Sequence, residues 1–323
     1  MKTDPLGRMM LAVVLAVAAT SAMAAFPERP ITLIVPWGAG GGTDATARII
    51  GSIMEKELGK PVNVINRSGG NGVVGHQAMA NAKPDGYTLG MATVEITMMH
   101  HLGLTDLTPD AYTPLALMNF DPSAITVSAD SPFHSIKDLL AFARDNPGKL
   151  KASGDGEGGV WHLALAGMLS DQGIAPDAIR FVPSDGASPG LLELVAGGVD
   201  IVPASLPEAR AMIDNGKART LAIMDNASSG LYPDIPTLAA ETGSDWTMGA
   251  WRGIVAPKGL PADVSARLEE VLDRINHSQE YKDFMDQQGY GIVWANGADF
   301  GAFMAKADAD MGTVMGKVGL AKD

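Results

Sequence analysis

A glycine-rich segment is the strongest candidate for a binding site in this sequence. Residues 38–42 read GAGGG and follow the apolar run ITLIV at residues 31–35. Ala47, Ile50 and Met54 then recur at helical spacing, so the glycines join a strand to a helix. Glycine lets the backbone approach a ligand closely, and the unpaired N–H groups of a helix's first turn attract anions. The segment is therefore predicted to bind a small anion, with a tight turn that needs positive φ as the alternative.

Two further strand-to-helix junctions have the same character. KASGDGEGG at residues 151–159 follows one strand pattern, and SDGASPG at residues 184–190 follows another. Junctions of this kind lie at the carboxyl edge of a parallel sheet, where open α/β folds bind ligands. Backbone N–H groups bonded to a charged partner contribute about 1.5–3 kcal/mol each. Three or four of them could therefore support micromolar binding of a carboxylate by two facing lobes.

Nucleotide-binding motifs do not fit the first glycine segment. The pattern G-x-G-x-x-G would place its last glycine at residue 43, which is threonine. A phosphate loop needs a lysine and a serine or threonine directly after the glycines, and these are absent from the sequence there. A dinucleotide or nucleoside triphosphate is therefore not expected.

A serine hydrolase is an open alternative. Residues 186–190, GASPG, match the nucleophile elbow G-x-S-x-G around Ser188. The elbow uses the backbone N–H of the residue after the serine for its oxyanion hole, and Pro189 has none. Ser188 as a helix N-cap with Pro189 at the first helical position explains the same residues without catalysis. His277 follows in the chain order of a triad, within a pattern typical of an exposed helix end.

Metal and cofactor sites are not predicted. His100 and His101 are adjacent, so on a helix or strand their side chains would point in different directions. The sequence has no H-E-x-x-H motif, and it contains no cysteine, which excludes disulfides and thiolate ligands.

The ends and the composition of the chain indicate export. Lys2 and Arg8 precede the apolar run MMLAVVLAVAA, and the small residues Ala22 and Ala24 follow it, the layout of a cleavable signal peptide over residues 1–24. The apolar run is too short for an ordinary membrane span. The net charge of the 323-residue chain is −13, which disfavours nucleic acid and anionic membranes as partners. Its length and 46% hydrophobic content suit two α/β domains with sizeable cores.

Seven segments together resemble the tripartite tricarboxylate transporter substrate-binding proteins, also called Bug receptors. The segments are FPERPITLIVPWGAGGGTDATAR, AKPDGYTLGMAT, SIKDLLAFARDNPGKLKASGDGEGG, VPSDGASPGLLELVAGGVDI, SLPEARAMIDNGKARTLAI, YPDIPTLAAE and WRGIVAPKGLP. The resemblance implies a two-lobed, type II-like periplasmic binding fold. Each lobe would hold a mainly parallel sheet flanked by helices, with the ligand in the cleft between them. It further implies a monomer without catalytic activity that captures a small carboxylate and delivers it to membrane permease subunits.

The same resemblance assigns the lobes and the ligand-binding residues. Lobe 1 would comprise residues 26–122 and 250–323, and lobe 2 residues 123–249. The first lobe would contribute Pro36, Trp37, Gly38, Ala39, Gly40, Gly41, Gly42, Thr43, Asp44 and Thr93. The second lobe would contribute Ser153, Gly154, Gly156, Gly158, Gly159, His162, Asp185, Gly186 and Ala187, with Ser205 and Trp251 near the interlobe strands.

Three positions depart from the commoner family patterns. Trp37 replaces a frequent phenylalanine, Asp185 stands where glycine or lysine is common, and Glu95 stands where a neutral residue is expected. Two acids near the pocket would repel a polyanion unless they face away from it or meet a cationic part of the ligand. These departures argue against a tricarboxylate such as citrate and leave monocarboxylates, aromatic acids and amino acids open. A sensory adaptor that presents its ligand to a membrane sensor is a further alternative.

Overall fold

The computed structural model describes residues 26–322, so the predicted signal peptide lies outside the described residues. The strands are β1 (Ile31–Val35), β2 (Val62–Asn66), β3 (Thr88–Thr93), β4 (Tyr112–Pro122), β5 (Ala124–Ser128), β6 (Lys151–Ala152), β7 (Arg180–Phe181), β8 (Ile201–Val202), β9 (Ala218–Ile223), β10 (Gly249–Pro257) and β11 (Ile292–Asn296). The helices are α1 (Gly42–Leu58), α2 (Val73–Ala80), α3 (Ile136–Asp145), α4 (Val160–Asp171), α5 (Ala187–Ala196), α6 (Leu206–Asp214), α7 (Leu238–Thr242), α8 (Ala262–His277), α9 (Gln279–Gln288) and α10 (Gly297–Lys317). Within residues 26–322 no helix combines the length and the apolar character that a membrane crossing requires.

The strands form two sheets with helices packed against them, which confirms the α/β class and the two-lobed architecture. The first sheet has the order β11-β4-β10-β3-β1-β2, and the second has the order β7-β6-β8-β5-β9. The expectation of mainly parallel sheets is wrong. β1 is parallel to β2 and β3, and β6 is parallel to β7 and β8, but the other pairs are antiparallel. The reason is that β4 leads into the second sheet and β10 returns from it, so this out-and-back pair must run in opposite directions.

Local signals explain where the helices begin and end. α1 starts directly after the glycine segment and ends at Gly59, whose φ of 64° lets its N–H bond to the Glu55 carbonyl oxygen. α3 follows a capping box in which the Ser135 hydroxyl and the Asp138 carboxylate each accept the other's backbone N–H at 3.1 Å. Both ends were predictable because the residues that determine them are neighbours in the chain.

α2 packs directly on the backbone that leads into the glycine segment. A Cβ atom added to Gly75 would lie 2.4 Å from Cα of Pro36 and 2.7 Å from the carbonyl oxygen of Arg67. No side chain fits in that space, so Gly75 is required for this close approach. The contact fixes the end of β1, and with it the start of the predicted anion loop.

His76 connects α2 to the end of β3 through hydrogen bonds. The imidazole is fully buried, and its Nδ1 lies 2.8 Å from the Gly72 carbonyl oxygen while its Nε2 accepts the Thr93 N–H at 3.3 Å. These partners require a proton on Nδ1 and a lone pair on Nε2, which is the neutral ring. Burial lowers the pKa of His76 from 6.5 to about 4.

We expect His76 to make folding stability fall with acidification. The unfolded chain binds this proton below pH 6.5 and the native state only near pH 4, so the contribution is fully present above pH 6.5. It is lost at about 1.4 kcal/mol per pH unit below that, for a total of roughly 3 kcal/mol by pH 4. Urea unfolding between pH 4.5 and 7.5 measures this slope, and His76→Gln should give a shallower slope than the wild-type protein.

The exposed His134 supplies the matched control. His134→Gln should retain the wild-type slope, because it changes a surface residue and leaves the buried His76 in place. An equal slope in His76→Gln and the wild-type protein would contradict the assignment of a buried neutral imidazole.

Candidate functional site

A cavity of about 150 Å³ lies between the two sheets, where the glycine segment at the start of α1 faces the starts of α4, α5 and α6. Cavities of this size hold molecules such as benzene. Residues of both lobes line this cavity, and they include residues of β10 in the first sheet. The position and the size suit a small metabolite enclosed between the lobes.

The two lobes touch across this cavity. The Gly42 N–H donates to Oε1 of Glu208 at 3.4 Å, and the Ser188 hydroxyl donates to the Gly40 carbonyl oxygen at 3.4 Å. The Asn71 side-chain amide also donates to the Glu157 carbonyl oxygen at 3.4 Å. The structure therefore represents the closed arrangement, and opening would break these three contacts.

Eleven of the predicted site residues line the cavity. They are Trp37, Gly38, Ala39, Gly41, Gly42, Thr43, Thr93, Asp185, Gly186, Ala187 and Trp251. Most of them belong to the first glycine segment and to the start of α5. At α5 the N-cap is Gly186, with φ 112°, and no side chain of the described residues caps this helix. The prediction of Ser188 as its N-cap is therefore wrong by two residues, and Ser188 lies in the first turn.

Ten predicted residues lie outside the cavity wall. They are Pro36, Gly40, Asp44, Ser153, Gly154, Gly156, Gly158, Gly159, His162 and Ser205. The second glycine segment is displaced from the cavity because it curls around Asp155, which accepts the Trp161 N–H at 2.8 Å and the His162 N–H at 3.3 Å. The protein's own carboxylate thus occupies the start of α4, where a ligand anion was predicted. The His162 ring stacks on Phe181, with the ring centroids 4.3 Å apart.

Polar side chains near the first glycine segment also bind other groups of the protein. Asp44 accepts the Gly40 N–H at 2.9 Å, and the Asn66 amide and the Arg48 guanidinium bind the same carboxylate. The Ser205 hydroxyl donates to Glu208 at 2.8 Å in the cap of α6. Asp44 and Ser205 therefore shape the loops that line the cavity and do not face its interior.

Nine further residues line the cavity without having been predicted as site residues. They are Glu95, Asp155, Val160, Trp161, Ser188, Pro189, Glu208, Ala250 and Arg252. Glu95 had been noted as an unusual acid. Arg252 had a usable sequence signal, since an arginine within the apolar strand WRGIVAP has to be buried with a partner.

Arg252 is 2% exposed and is bound by the protein on several sides. Its guanidinium forms an ion pair with Asp121, hydrogen bonds with Asn119, and donates to the Thr43 hydroxyl at 3.0 Å. Glu208 lies 3.9 Å away. The positive charge of Arg252 is therefore already compensated, and the arginine acts mainly as a tie between β10, β4 and the start of α1.

Three carboxyl groups are buried in the cavity wall. Glu95 is 3% exposed, Asp155 is 2% exposed, and the Glu208 side chain is 7% exposed. Burial raises the pKa of all three, and the pKa of Asp155 is raised further by the nearby charges of Glu95 and Glu208. Hydrogen bonds from Thr93 and from the Val160 backbone partly offset the rise at Glu95. The cavity is thus negatively charged to the extent that these groups are ionised.

Three tryptophans complete the wall: Trp37, Trp161 and Trp251. Trp37 donates its Nε1 proton to the Thr93 hydroxyl at 3.3 Å. Trp251 packs edge-on against Phe300 and Phe303, with centroid distances of 5.6 and 5.5 Å. Its buried Nε1 has no hydrogen-bond partner among residues 26–322. A buried donor without a partner costs free energy, so a ligand acceptor at the Trp251 Nε1 would be favoured.

The groups around Ser188 do not form the constellation of a hydrolase. The Ser188 hydroxyl faces the Gly40 carbonyl oxygen, which is an acceptor and not a base. His277 lies at the exposed end of α8, where its Nδ1 is 2.8 Å from the Asp273 carbonyl oxygen. Within the described chain the geometry supports binding at Ser188 and gives no support for activation of its hydroxyl.

The prediction that His100 and His101 point in different directions is wrong. Both lie in an irregular turn, and their ring centroids are 3.9 Å apart. Nε2 of His100 is 3.1 Å and Nε2 of His101 is 3.8 Å from Oδ1 of Asp308 on α10. Two imidazoles and one carboxylate within 4.8 Å of one another are donors that suit Zn²⁺. This cluster lies outside the cavity wall.

Comparison with known proteins gives consistent matches over nearly the whole chain. The family model described as the tripartite tricarboxylate transporter family receptor matches residues 46–320. A UPF0065 protein of Bordetella pertussis is 32% identical over 323 residues, which cover 99% of each chain. The Rhodopseudomonas palustris protein Rpa4515 with adipate is 25% identical, with a TM-score of 0.86 over 92% of this chain and 99% of that one. MatC from the same species, with bound malate, is 25% identical, with a TM-score of 0.81 over 90% and 99%.

Proposed function

The chain belongs to the tripartite tricarboxylate transporter receptor family, and from that premise we propose that it captures a small carboxylate in the periplasm for delivery to membrane permease subunits. Solved relatives of the same fold hold adipate and malate, both of them carboxylates. The observation that carries the proposal is the closed cavity in which the first glycine segment faces the uncapped start of α5.

We place the ligand carboxylate at the start of α5. Ala187 and Ser188 offer backbone N–H groups in the first helical turn, whereas Pro189 offers none. The positive end of the helix dipole favours an anion there. Gly38 and Ala39 form the opposite wall, and Trp251 lines the same cavity.

Binding would follow a hinged closure of the two lobes. We assign residues 26–122 and 250–323 to lobe 1 and residues 123–249 to lobe 2, with the hinge where β4 and β10 connect the two sheets. In the open form the carboxylate would dock on the exposed amides. Closure would then bury it and form the Gly42–Glu208 and Ser188–Gly40 contacts. The permease would recognise the closed, liganded monomer, released into the periplasm after removal of the signal peptide.

A thermal-shift screen across small carboxylates tests this proposal. A ligand at 100 times its Kd adds about 2.7 kcal/mol to the free energy of unfolding. We therefore expect a subset of carboxylates to raise the Tm of the purified mature protein, in a manner that saturates with concentration. Matched alcohols and amides of the same acids should produce no shift. The absence of a shift across monocarboxylates, dicarboxylates, aromatic acids and amino acids would refute the proposal.

A further inference from the structure

We propose that the ligand carries a cationic nitrogen as well as its carboxylate, so that the receptor binds a small zwitterion such as an amino acid or a betaine. This inference rests on the proposed function and narrows it to one class of substrate. It is argued from the charges, the occupied helix ends and the aromatic side chains of the cavity wall.

The cavity wall contains more acidic side chains than basic ones. Glu95, Asp155 and Glu208 all line it, and each is nearly buried. Arg252 is the one lysine or arginine among the described lining residues, and its guanidinium is already paired with Asp121. Three buried carboxyl groups, together with the exposed Asp185, are therefore left around a space of about 150 Å³ without a full countercharge from the protein. A cation in the ligand would supply it.

The starts of four helices face the cavity, and the protein's own acids occupy three of them, Asp155 at α4 and Glu208 at both α1 and α6. At α4 the carboxylate of Asp155 accepts the Trp161 and His162 N–H groups. At α1 the carboxylate of Glu208 accepts the Gly42 N–H. At α5, in contrast, no side chain of the described residues accepts an N–H group of the first turn. The site thus has room for one ligand carboxylate, and a second would lie against the acids.

The tryptophans add a further preference for a cation. Trp37, Trp161 and Trp251 line the same cavity as the three acids. Tryptophan binds cations over its ring more strongly than other aromatic residues do, and acids beside aromatic rings recognise ammonium groups. The three tryptophans together make up much of the apolar wall against which the methylene or methyl groups of a zwitterion would pack.

Matched pairs of ligands test the charge directly. Isothermal titration at pH 7.5 would compare alanine with isobutyrate, 4-aminobutyrate with pentanoate, and glycine betaine with 3,3-dimethylbutanoate. In each pair a carbon group replaces the cationic nitrogen at nearly constant shape. We expect at least one zwitterion to bind 30-fold or more tightly than its carbon analogue, and adipate and malate to bind more weakly than that zwitterion. The responding pair also distinguishes a primary from a quaternary ammonium group.

A variant separates an electrostatic role from a structural one. Glu95→Gln keeps the size of the side chain and removes its charge, so it should weaken the zwitterion at least 10-fold. The same change should strengthen binding of the carbon analogue, which lacks the cationic nitrogen, or leave it unaffected, which a general loss of structure would not do. Glu28→Gln is the matched control, because Glu28 is an exposed acid outside the cavity wall, and it should change neither affinity. Circular dichroism would establish folding, and Glu208→Gln is the second variant if Glu95→Gln fails to fold.

The possible results distinguish a failure of the zwitterion inference from a failure of the proposed receptor function. Equal or tighter binding of the carbon analogues, or of adipate and malate, would overturn the zwitterion inference and leave the carboxylate receptor standing. If no carboxylate of any kind binds, the proposed function fails, and the inference fails with it.

Discussion

Arg252→Met is expected to lower the free energy of unfolding by about 3–5 kcal/mol, because it leaves buried acids without their countercharge. Arg252 is 2% exposed and its partner Asp121 is 1% exposed, so water cannot replace the lost ion pair. The hydrogen bonds to Asn119 and the Thr43 hydroxyl are lost with it. Urea unfolding of the ligand-free protein at pH 7.5 measures the change.

A surface arginine provides the comparison. Arg267 forms a 2.9 Å ion pair with Glu270 in which both side chains are well exposed. Arg267→Met should therefore cost less than about 1 kcal/mol. In the double variant Arg252→Met with Asp121→Asn, removal of the uncompensated carboxylate should recover part of the loss. A cost below 1 kcal/mol for Arg252→Met alone would show that the buried network contributes little to stability.

The first glycine segment could be predicted because its geometry is determined locally. A strand, a run of glycines and a helical repeat follow one another in the chain, so the loop has to lie at the edge of a sheet. Gly38 and Gly41 do line the cavity. Local residues likewise determine the capped start of α3 and the glycine end of α1.

The role of the second glycine segment could not be predicted from its local sequence. Its sequence predicts an anion site at the start of α4, but the acid that fills this site is Asp155 of the segment itself. Nothing in the spacing says whether Asp155 points outward or folds back onto the helix. Glu95 and Glu208 join it from positions more than 50 residues away along the chain. Such a convergence depends on tertiary structure, so the meeting of these three buried acids could not be derived from the spacing of the residues.

Gly41→Leu is expected to remove ligand binding and to leave the fold unchanged. Gly41 has φ −86° and ψ 174°, which any residue adopts, and a Cβ atom there would meet only the Gly38 carbonyl oxygen at 4.0 Å. Gly41 also lines the cavity, whose volume is about 150 Å³, so the side chain of leucine would compete with the ligand for this space. We expect affinity for the carboxylate found in the thermal-shift screen to fall at least 100-fold. The stabilisation of about 2.7 kcal/mol at saturating ligand should then disappear.

The neighbouring glycine makes this test specific. A Cβ atom on Gly42 would lie 2.6 Å from Nη2 of Arg252, so Gly42→Leu should disrupt the buried ion-pair network and destabilise the ligand-free protein. Gly316→Leu is the control, because Gly316 is exposed in α10 and has open space where a Cβ atom would lie. This variant should have little effect on the free energy of unfolding and no effect on ligand binding. The two variants would then lose ligand binding for different reasons. Gly41→Leu would fill the cavity, whereas Gly42→Leu would displace Arg252. If Gly41→Leu still binds the carboxylate with full affinity, the ligand does not use the first glycine segment, and the site has to be sought elsewhere.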